Sequence, residues 1–233
     1  MIDSALKLRE RIRRRYRTNA VQLDLDSLNL GFTRLSEPDR VLDEAVAVED
    51  RRKAGDSSAV DPPRVPYWAE LWESAIALAR VLSRHSLAGK SVLDLGCGMG
   101  LAGAAAAAMG ASVLLADIEP QALLLARLNT APWQTRVRAR RVNWQLDNLN
   151  ERFDLILGAD ILYEKDQWPF LDDFWKAHLS DGGELMLGEP GRQTGDAFPA
   201  WATERGWRIE QTTEPIIPAG KRVRIFRLTS KDS

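Results

Sequence analysis

Short apolar or alternating runs follow one another from residue 91 onwards, and helical segments separate most of them. The runs KSVLDLG and ASVLLAD enclose the segment LAGAAAAAMG, and the runs FDLILGAD and ELMLGEP enclose WPFLDDFWKAHLS. This alternation of strand and helix is typical of a mostly parallel sheet that is covered by helices on both faces. The last two runs, WRIEQTTE and KRVRIFRLT, have no helix between them. They are predicted to pair as a hairpin, which makes one strand of the sheet antiparallel.

Residues 1–65 have a different pattern and are predicted to form an extension that precedes a domain at residues 66–233. The extension begins with a basic helix, whose run RERIRRRYR fits either a solvated helix or an Arg-rich mitochondrial address. Apolar and polar residues alternate from Val21 to Leu35, which predicts a β-hairpin, and RVLDEAV is expected to extend this small sheet. The segment from Glu49 to Arg64 is charged and rich in turn formers, and it is predicted to be a mobile loop.

The composition argues against several classes of function. The formal net charge of −1 gives no overall attraction to nucleic acid or to an anionic membrane, and the longest apolar stretch is too short for a membrane span. Cys97 is the only cysteine, which rules out an internal disulfide and predicts a reducing, cytoplasmic location. His85 and His178 are the only histidines and lie in no metal-ligand spacing, so no metal is expected. The sequence leaves the oligomeric state open.

The segment KSVLDLGCGMGLAG places Gly96, Gly98 and Gly100 between a predicted strand and a predicted helix. Glycine lets the backbone turn sharply and approach a ligand, and the helix that follows offers unpaired amides. In parallel sheets, ligands bind outside the carboxyl ends of the strands, where the strand order reverses. Asp117 ends the next strand, about 20 residues further on, where a carboxylate accepts the hydroxyl groups of a ribose. The pattern therefore predicts a ligand that contains a nucleoside.

Two details distinguish this segment from a dinucleotide site. The third glycine comes one residue earlier than in the fingerprint Gly-x-Gly-x-x-Gly, which argues against a dinucleotide oxidoreductase. Asp94 precedes the glycines, and its carboxylate would repel a pyrophosphate but attract an ammonium group. S-adenosylmethionine has an ammonium group and no phosphate. It is therefore the predicted cofactor, and S-adenosylhomocysteine is the predicted product.

These residues carry a resemblance to a known family. VLDLGCGMGLAG followed by LLADIEPQAL resembles motif I and the next acidic strand of class I, seven-stranded methyltransferases that use S-adenosylmethionine. The segment PYWAELWESAIALARVL, the pair Asn143-Trp144 and the segment GADILYEKD are similar to methyltransferase family 16, which is rich in protein lysine methyltransferases. The resemblance implies an α/β, Rossmann-like, doubly wound fold with a mostly parallel seven-stranded sheet, an antiparallel last strand and a small N-terminal helix and hairpin.

One further segment resembles a smaller group of enzymes within this family. LGEPGR is similar to the Gly-Asp-Pro-Gly-Arg of lysine methyltransferases that act on the electron transfer flavoprotein β-subunit. Glu189 stands here in place of the Asp. Glu73, Ser74 and Ala75 stand where those enzymes usually have glycines.

The resemblance also implies a set of site residues. Asn143 is expected to bind the adenine amino group, Trp144 to cover the base, and Trp72 to lie near the methionine end of the cofactor. The residues expected to bind the cofactor are Asp94, Gly96, Cys97, Gly98, Gly100, Asp117, Ile118, Asn143, Trp144, Ala159 and Trp72.

The acceptor side of the expected site has its own residues. Asp160 is expected to accept a hydrogen bond from the acceptor amine, although a helix cap is an alternative role for it. Tyr163 is expected either to form a wall of the acceptor channel with its ring or to make a hydrogen bond through its hydroxyl. Arg192 is expected either to bind an acidic substrate surface or to brace the rim of the site.

The expected activity is methyl transfer from S-adenosylmethionine to a protein lysine amine. Two alternatives remain open at this point: a small-molecule N-methyltransferase similar to nicotinamide N-methyltransferase, and an inactive module that binds a nucleoside. An open acidic rim would favour a lysine of a protein. A closed pocket, with residues 1–65 as its lid, would favour a small amine.

Overall fold

The computed structural model describes residues 2–53, 65–216 and 220–231. The helices are α1 (Ile2–Arg13), α2 (Pro38–Lys53), α3 (Glu73–Ser83), α4 (Leu101–Ala108), α5 (Pro120–Asn129), α6 (Trp168–His178) and α7 (Gln193–Glu204). The strands are β1 (Thr18–Leu25), β2 (Leu28–Leu35), β3 (Ser91–Leu95), β4 (Ser112–Asp117), β5 (Val137–Arg141), β6 (Phe153–Ala159), β7 (Leu179–Glu189), β8 (Trp207–Ile216) and β9 (Lys221–Ser230).

The main sheet has seven strands in the order β5-β4-β3-β6-β7-β9-β8. The pairs from β5 to β7 are parallel, whereas β9 runs antiparallel to both β7 and β8. The strand order reverses at β3, which has β4 on one side and β6 on the other. The predicted doubly wound α/β fold is therefore confirmed, and the glycine segment after β3 lies at the point where ligands bind in such sheets.

Two apolar cores cover the two faces of the sheet. Successive side chains of a strand point to opposite faces, so Val92 packs in one core and Leu93 and Leu95 pack in the other. The first core contains residues of α3, α4 and α5, and the second contains residues of α6 and α7. Asp94, two residues after Val92, therefore points from β3 towards the layer that contains α4.

The N-terminal hairpin packs on the first core. Strands β1 and β2 pair antiparallel, and Leu25 and Phe32 are buried in the core that α4 and α5 share. The side chain of Asn129, at the end of α5, joins this hairpin to the glycine segment. Its Oδ1 accepts a hydrogen bond from the Thr33 amide at 2.8 Å, and its Nδ2 donates to the carbonyl oxygens of Thr33 and Met99 at 3.0 and 2.9 Å. The boundary between residues 1–65 and 66–233 stays a prediction.

The prediction that RVLDEAV extends the small sheet is wrong, because these residues belong to α2. Val41, Ala45 and Val48 are half-buried at a spacing of four and three residues, which is the period of a helix face. Helix α2 also includes the first residues of the predicted loop from Glu49 to Arg64, and residues 54–64 lie outside the described part of the chain.

Apolar residues at three- and four-residue spacing predict an amphipathic helix over YWAELWESAIALARVLSRH, but the helix begins later than this pattern indicates. A short 3-10 helix covers Tyr67–Ala69, and α3 begins only at Glu73. Trp72 has an extended backbone with φ −71° and ψ 143°, and it precedes the first residue of α3. The residues between these two helices therefore run across the end of the sheet as an extended segment.

The run TRVRARRVNW has charged residues on one face, which predicts a strand at or near an edge of the sheet, and β5 does form one edge of the main sheet. Arg138, Arg140 and Arg141 are exposed along this strand. Among the residues that the structure describes, every helix is too short or too polar to cross a lipid bilayer.

Candidate active site

The glycine loop, which we define as residues 96–100, follows β3. Gly96, Gly98 and Gly100 have φ angles of 65°, 52° and 82°, which lie in the left-handed region that glycine adopts without steric cost. A Cβ atom on Gly100 would lie 2.8 Å from the Cβ of Ala126 in α5, so the loop also needs glycine for close packing. The predicted tight turn is present, and it leads directly into α4.

Asp94 lies beneath the glycine loop and is almost completely buried. Its Oδ2 accepts a hydrogen bond from the Gly103 amide of α4 at 2.8 Å, and its Oδ1 has no hydrogen-bond partner among the described residues. Burial raises the pKa of this carboxyl to about 7. Gly103 permits the contact, since a Cβ there would lie 2.3 Å from Leu115 Cδ2 and 2.9 Å from Asp94 Oδ2.

Asp117 ends β4 and connects the glycine loop to the next turn. Its Oδ2 accepts a hydrogen bond from the Gly98 amide at 2.8 Å, and its Oδ1 accepts one from the Glu119 amide at 2.9 Å. Burial raises the pKa of the carboxyl to about 6, although these hydrogen bonds oppose the shift. The contact fixes the position of a carboxylate beside the loop.

A cavity of about 440 Å³ lies at this end of the sheet, between the glycine loop, the segment 65–72 and the ends of β4, β5 and β6. Five of the residues that line it carry carboxylates, and none of the lining residues is a lysine, arginine or histidine. These five are Glu70, Asp117, Glu119, Asp160 and Glu164. The cavity therefore favours ligands that carry positive charge.

Aromatic side chains form much of one wall of the cavity. The ring of Tyr67 lies 5.4 Å from that of Tyr163 and 6.4 Å from that of Trp72, measured between centroids. The Nε1 of Trp72 donates a hydrogen bond to the carbonyl oxygen of Tyr67 at 2.8 Å. Burial raises the pKa of Tyr163 to about 12, so its hydroxyl stays protonated at neutral pH.

Asn143 and Trp144 follow β5 and line the cavity on the other side of the glycine loop. The Oδ1 of Asn143 accepts a hydrogen bond from the Gln145 amide at 3.0 Å, and the Nε1 of Trp144 donates to Gln167 Oε1 at 3.3 Å. These contacts orient both side chains within the turn after β5. A Cβ on Gly96 would lie 3.7 Å from the ring of Trp144, so this ring lies close to the loop.

Asp160 follows β6 and has a φ of 55°, which is unusual for a residue other than glycine. Its side chain is paired with Arg192: Nε of the arginine donates to Oδ1 at 2.9 Å, and the second guanidinium nitrogen donates to Oδ2 at 2.6 Å. Burial raises the pKa of Asp160 above its ordinary value, and the guanidinium of Arg192 opposes this. The same guanidinium lies 5.6 Å from the ring centroid of Trp72.

The structure brings most of the predicted site residues to one cavity. The predicted residues that line it are Trp72, Gly96, Cys97, Gly98, Asp117, Ile118, Asn143, Trp144, Ala159, Asp160 and Tyr163. Asp94, Gly100 and Arg192 lie outside the lining. Asp94 supports α4 beneath the loop, Gly100 contacts α5, and Arg192 binds Asp160. The roles of all these residues stay predictions.

Sequence reasoning missed several residues that line the cavity. Tyr67, Trp68 and Glu70 were assigned to a helix, and Gln167 belongs to no motif. The break at residues 70–72 has a weak sequence signal, because the apolar period of α3 becomes regular only after Trp72. No group of His, Cys, Asp or Glu that could hold a metal ion occurs within residues 2–53, 65–216 and 220–231.

Comparisons with known proteins agree with the resemblance drawn from the motifs. A family model described as lysine methyltransferase matches residues 68–196, which is more than half of the chain. The chain is 35% identical over 142 residues to the electron transfer flavoprotein beta subunit lysine methyltransferase of Xenopus laevis, which covers 58% of this chain and 56% of that protein. It is 36% identical over 137 residues to the protein N-lysine methyltransferase METTL21A of Danio rerio, covering 54% and 62% of the two chains.

The match with these curated relatives spans little more than half of their length. Among solved structures, the chain is similar to the N-methyltransferase NodS of Bradyrhizobium japonicum in complex with S-adenosyl-L-homocysteine. The TM-score is 0.58 at 20% identity, and the match covers 80% of this chain and 98% of NodS. This likeness supports the Rossmann-like fold.

Proposed function

Because the chain belongs to the lysine methyltransferase family, whose model matches residues 68–196, we propose that it transfers a methyl group from S-adenosylmethionine to a lysine of a protein. The relatives that match it are named as protein lysine methyltransferases, which supports a protein acceptor. Its single cysteine forms no disulfide, which is compatible with a reducing compartment, and the cytoplasmic location stays a prediction.

The observation that carries the proposal is the charge of the cavity. Its lining has five carboxylates, several aromatic rings and no basic side chain. S-adenosylmethionine carries a sulfonium and an ammonium group, and lysine carries an ammonium group before it reacts. Carboxylates attract these cations, and aromatic faces stabilise them through cation–π contacts. A pyrophosphate or another anionic group would be repelled by the same surface.

The residues at the glycine loop fit the cofactor. Asp117 has two ordered carboxylate oxygens with free lone pairs that can accept hydrogen bonds from ribose hydroxyls. Asn143 and Trp144 line the part of the cavity that would hold the adenine, and the glycine loop would hold the amino-acid part. The Oδ1 of Asp94, which has no hydrogen-bond partner among the described residues, lies beneath this loop, and its carboxyl becomes charged as the pH rises through its pKa of about 7. When bound, S-adenosylmethionine supplies a methyl group that its sulfonium activates.

Asp160 and Tyr163 would act on the acceptor side of the cavity. The acceptor amine must be neutral to attack. In a confined site, the positive charge of the sulfonium beside the amine would lower the pKa of the amine. Asp160 would accept a hydrogen bond from the amine nitrogen and direct its lone pair towards the methyl group. Tyr67 and Tyr163 would exclude water and hold the lysine side chain in line. The proton that the amine loses leaves to solvent, and the transfer forms an N–C bond as the S–C bond breaks.

The test uses the purified full chain, tritiated S-adenosylmethionine and a cell extract that retains its small molecules. We expect label in protein bands, released as methyllysine on acid hydrolysis. Asp160→Asn should lower the rate at least tenfold with little change in the affinity for S-adenosylhomocysteine. Asp154→Asn is the matched control, because Asp154 lies at the opposite end of β6 and binds Ser91 far from the cavity. This control variant should label protein at the parent rate.

Three results would overturn the proposal, each in a different way. Label only in the small-molecule fraction would indicate a small amine as the acceptor. Binding of S-adenosylhomocysteine in calorimetry without any transfer would indicate an inactive nucleoside-binding module. Absence of this binding would contradict the methyltransferase assignment itself.

A further inference from the structure

An ion pair between a buried carboxylate and a half-buried arginine lies outside the cavity, next to the turn that holds Arg192. Glu189 ends β7 and is 1% exposed, and Arg224 is its direct cross-strand partner on β9. Nε of Arg224 donates a hydrogen bond to Glu189 Oε2 at 2.6 Å. A buried ion pair is weak support for stability by itself, since its desolvation cost offsets its attraction.

Both side chains bind the backbone of the turn 190–192. Glu189 accepts hydrogen bonds from the amides of Gly191 and Arg192, at 2.9 and 2.5 Å, and Arg224 donates to the carbonyl oxygen of Arg192 at 3.0 Å. The backbone of Arg192 is thus held at its amide by one member of the pair and at its carbonyl by the other. Helix α7 closes over the pair at Gly195, where a Cβ would lie 2.5 Å from Glu189 Cδ.

The side chain of Arg192 extends from this fixed turn to Asp160. It is 40% exposed, so its orientation depends on where its backbone is held and on the bidentate contact with the carboxylate. Asp160 itself keeps an unfavourable positive φ, with its amide donating to the Gly188 carbonyl of β7 at 2.8 Å. The side chain of Asp160 is therefore positioned largely by contacts with β7 and with the turn that follows β7.

We propose that Glu189 and Arg224 are positioning residues for the acceptor step: they fix the turn that carries Arg192, and Arg192 in turn fixes the carboxylate of Asp160. This inference rests on the proposed function, in which Asp160 orients the acceptor amine. It also gives a physical reason for glutamate at position 189. The longer side chain reaches two backbone amides of the turn and the guanidinium of β9 at the same time.

The variant to test is Arg224→Lys, which keeps the positive charge beside Glu189 but loses the planar fork that also reaches the carbonyl of Arg192. The matched control is Arg227→Lys, because Arg227 also joins β9 to β7, through Glu184, on a side of the pair away from the cavity. We expect Arg224→Lys to lower kcat for protein labelling roughly tenfold or more, while the affinity for S-adenosylhomocysteine stays unchanged. Arg227→Lys should leave both quantities unchanged.

A double-mutant cycle separates positioning from a general structural role. If Arg224 acts through Arg192, then Arg224→Lys should have almost no further effect on kcat in an Arg192→Met background. Additive losses in the cycle, or a loss of cofactor affinity that parallels the loss of kcat, would overturn the proposal. If Arg224→Lys does not fold, Glu189→Asp, which shortens the same connection by one methylene, should show the same dependence on Arg192.

A second readout needs no methyl acceptor. The carboxyl carbon of Asp160, identified by the loss of its signal in Asp160→Asn, can be titrated by NMR. Charged groups that affect this carboxyl are Arg192, Glu189 and Glu73, and Arg192 alone among them lowers its pKa. Arg224→Lys should therefore raise the pKa of Asp160, and Arg227→Lys should not. A pKa that stays unchanged in Arg224→Lys would refute the positioning, even if the proposed function had failed for other reasons.

Discussion

Replacement of Asp94 by asparagine should change how the stability of the protein depends on pH. Burial raises the pKa of Asp94 to about 7 in the folded protein, whereas an exposed aspartate in the unfolded chain titrates near pH ~3.9. The folded state thus binds a proton between these two values that the unfolded state has lost. Stability contributed by this group is fully present below the lower pKa and is lost as the pH rises through the higher one.

The size of the effect follows from the shift. A difference of about three pKa units corresponds to about 4 kcal/mol, of which about 2 to 3 kcal/mol is lost between pH 5 and pH 8. In Asp94→Asn, the amide oxygen can still accept the hydrogen bond from Gly103, and the NH2 group takes the place of the unpaired Oδ1. That unpaired amide costs about 1 to 3 kcal/mol, but equally at both pH values. The difference between the two pH values therefore isolates the ionisation of Asp94.

The assay is urea unfolding of ligand-free protein, followed by tryptophan fluorescence at pH 5 and pH 8. Between pH 5 and pH 8, the free energy of unfolding of the parent protein should fall by about 2 to 3 kcal/mol more than that of Asp94→Asn. Asp154→Asn serves as the control, because its hydrogen bonds from Ser91 lower the pKa of Asp154 and keep it ionised throughout. This control should show the pH dependence of the parent. An equal loss in the parent and in Asp94→Asn would refute the reasoning, since Asp94 would then ionise without penalty.

Three other substitutions test separate parts of the site. Gly103→Ala would place a Cβ 2.3 Å from Leu115 Cδ2, so the unfolding free energy should fall by about 1 to 3 kcal/mol; an unchanged urea midpoint would mean that α4 can shift without cost. Asn129→Leu leaves buried backbone groups of the hairpin and the glycine loop unpaired, so both the melting temperature and the affinity for S-adenosylhomocysteine should fall; lower stability with unchanged affinity would contradict the link to the loop. Asp117→Asn should weaken this affinity roughly tenfold, or about 1.4 kcal/mol, at pH 8. Because burial raises the pKa of Asp117 to about 6, the parent should also lose affinity below that pH in calorimetry, whereas a parallel loss in Asp117→Asn would contradict the role of its charge.

Most of the main sheet could be predicted because β3, β4 and β6 are short apolar runs bounded by a glycine or an aspartate, and β8 and β9 alternate apolar and polar residues. The charged run of β5 even indicated an edge. Helix α2 was missed because RVLDEAV is too short to separate the two periods: Val41 and Ala45 fit a helix only when Val48 is included. The late start of α3 was missed because the aromatic residues before Trp72 keep an approximate helical spacing.

The site was predictable where a motif lies on a strand end and unpredictable where distant strands meet. The glycine loop, Asp117 and Asp160 each follow a strand directly, and parallel strands bring their carboxyl ends together. The contact between Glu189 and Arg224 depends on the position of β9 between β7 and β8. The spacing of residues in the sequence does not predict this strand order. Asn129 is likewise 96 residues from the strand that it binds, and a single Asn at a helix end gives no sign of such a partner.

The arginines on β5 have a consequence for how copies of this protein meet each other. The outer edge of β5 presents backbone amides and carbonyls that another strand could bind, which is a common route to aggregation. Two such edges brought together would place Arg138, Arg140 and Arg141 of one molecule near the same residues of the other. Like charges at that distance repel each other. Edge-to-edge association of two molecules through β5 should therefore be disfavoured at low salt and become easier as salt screens the charges.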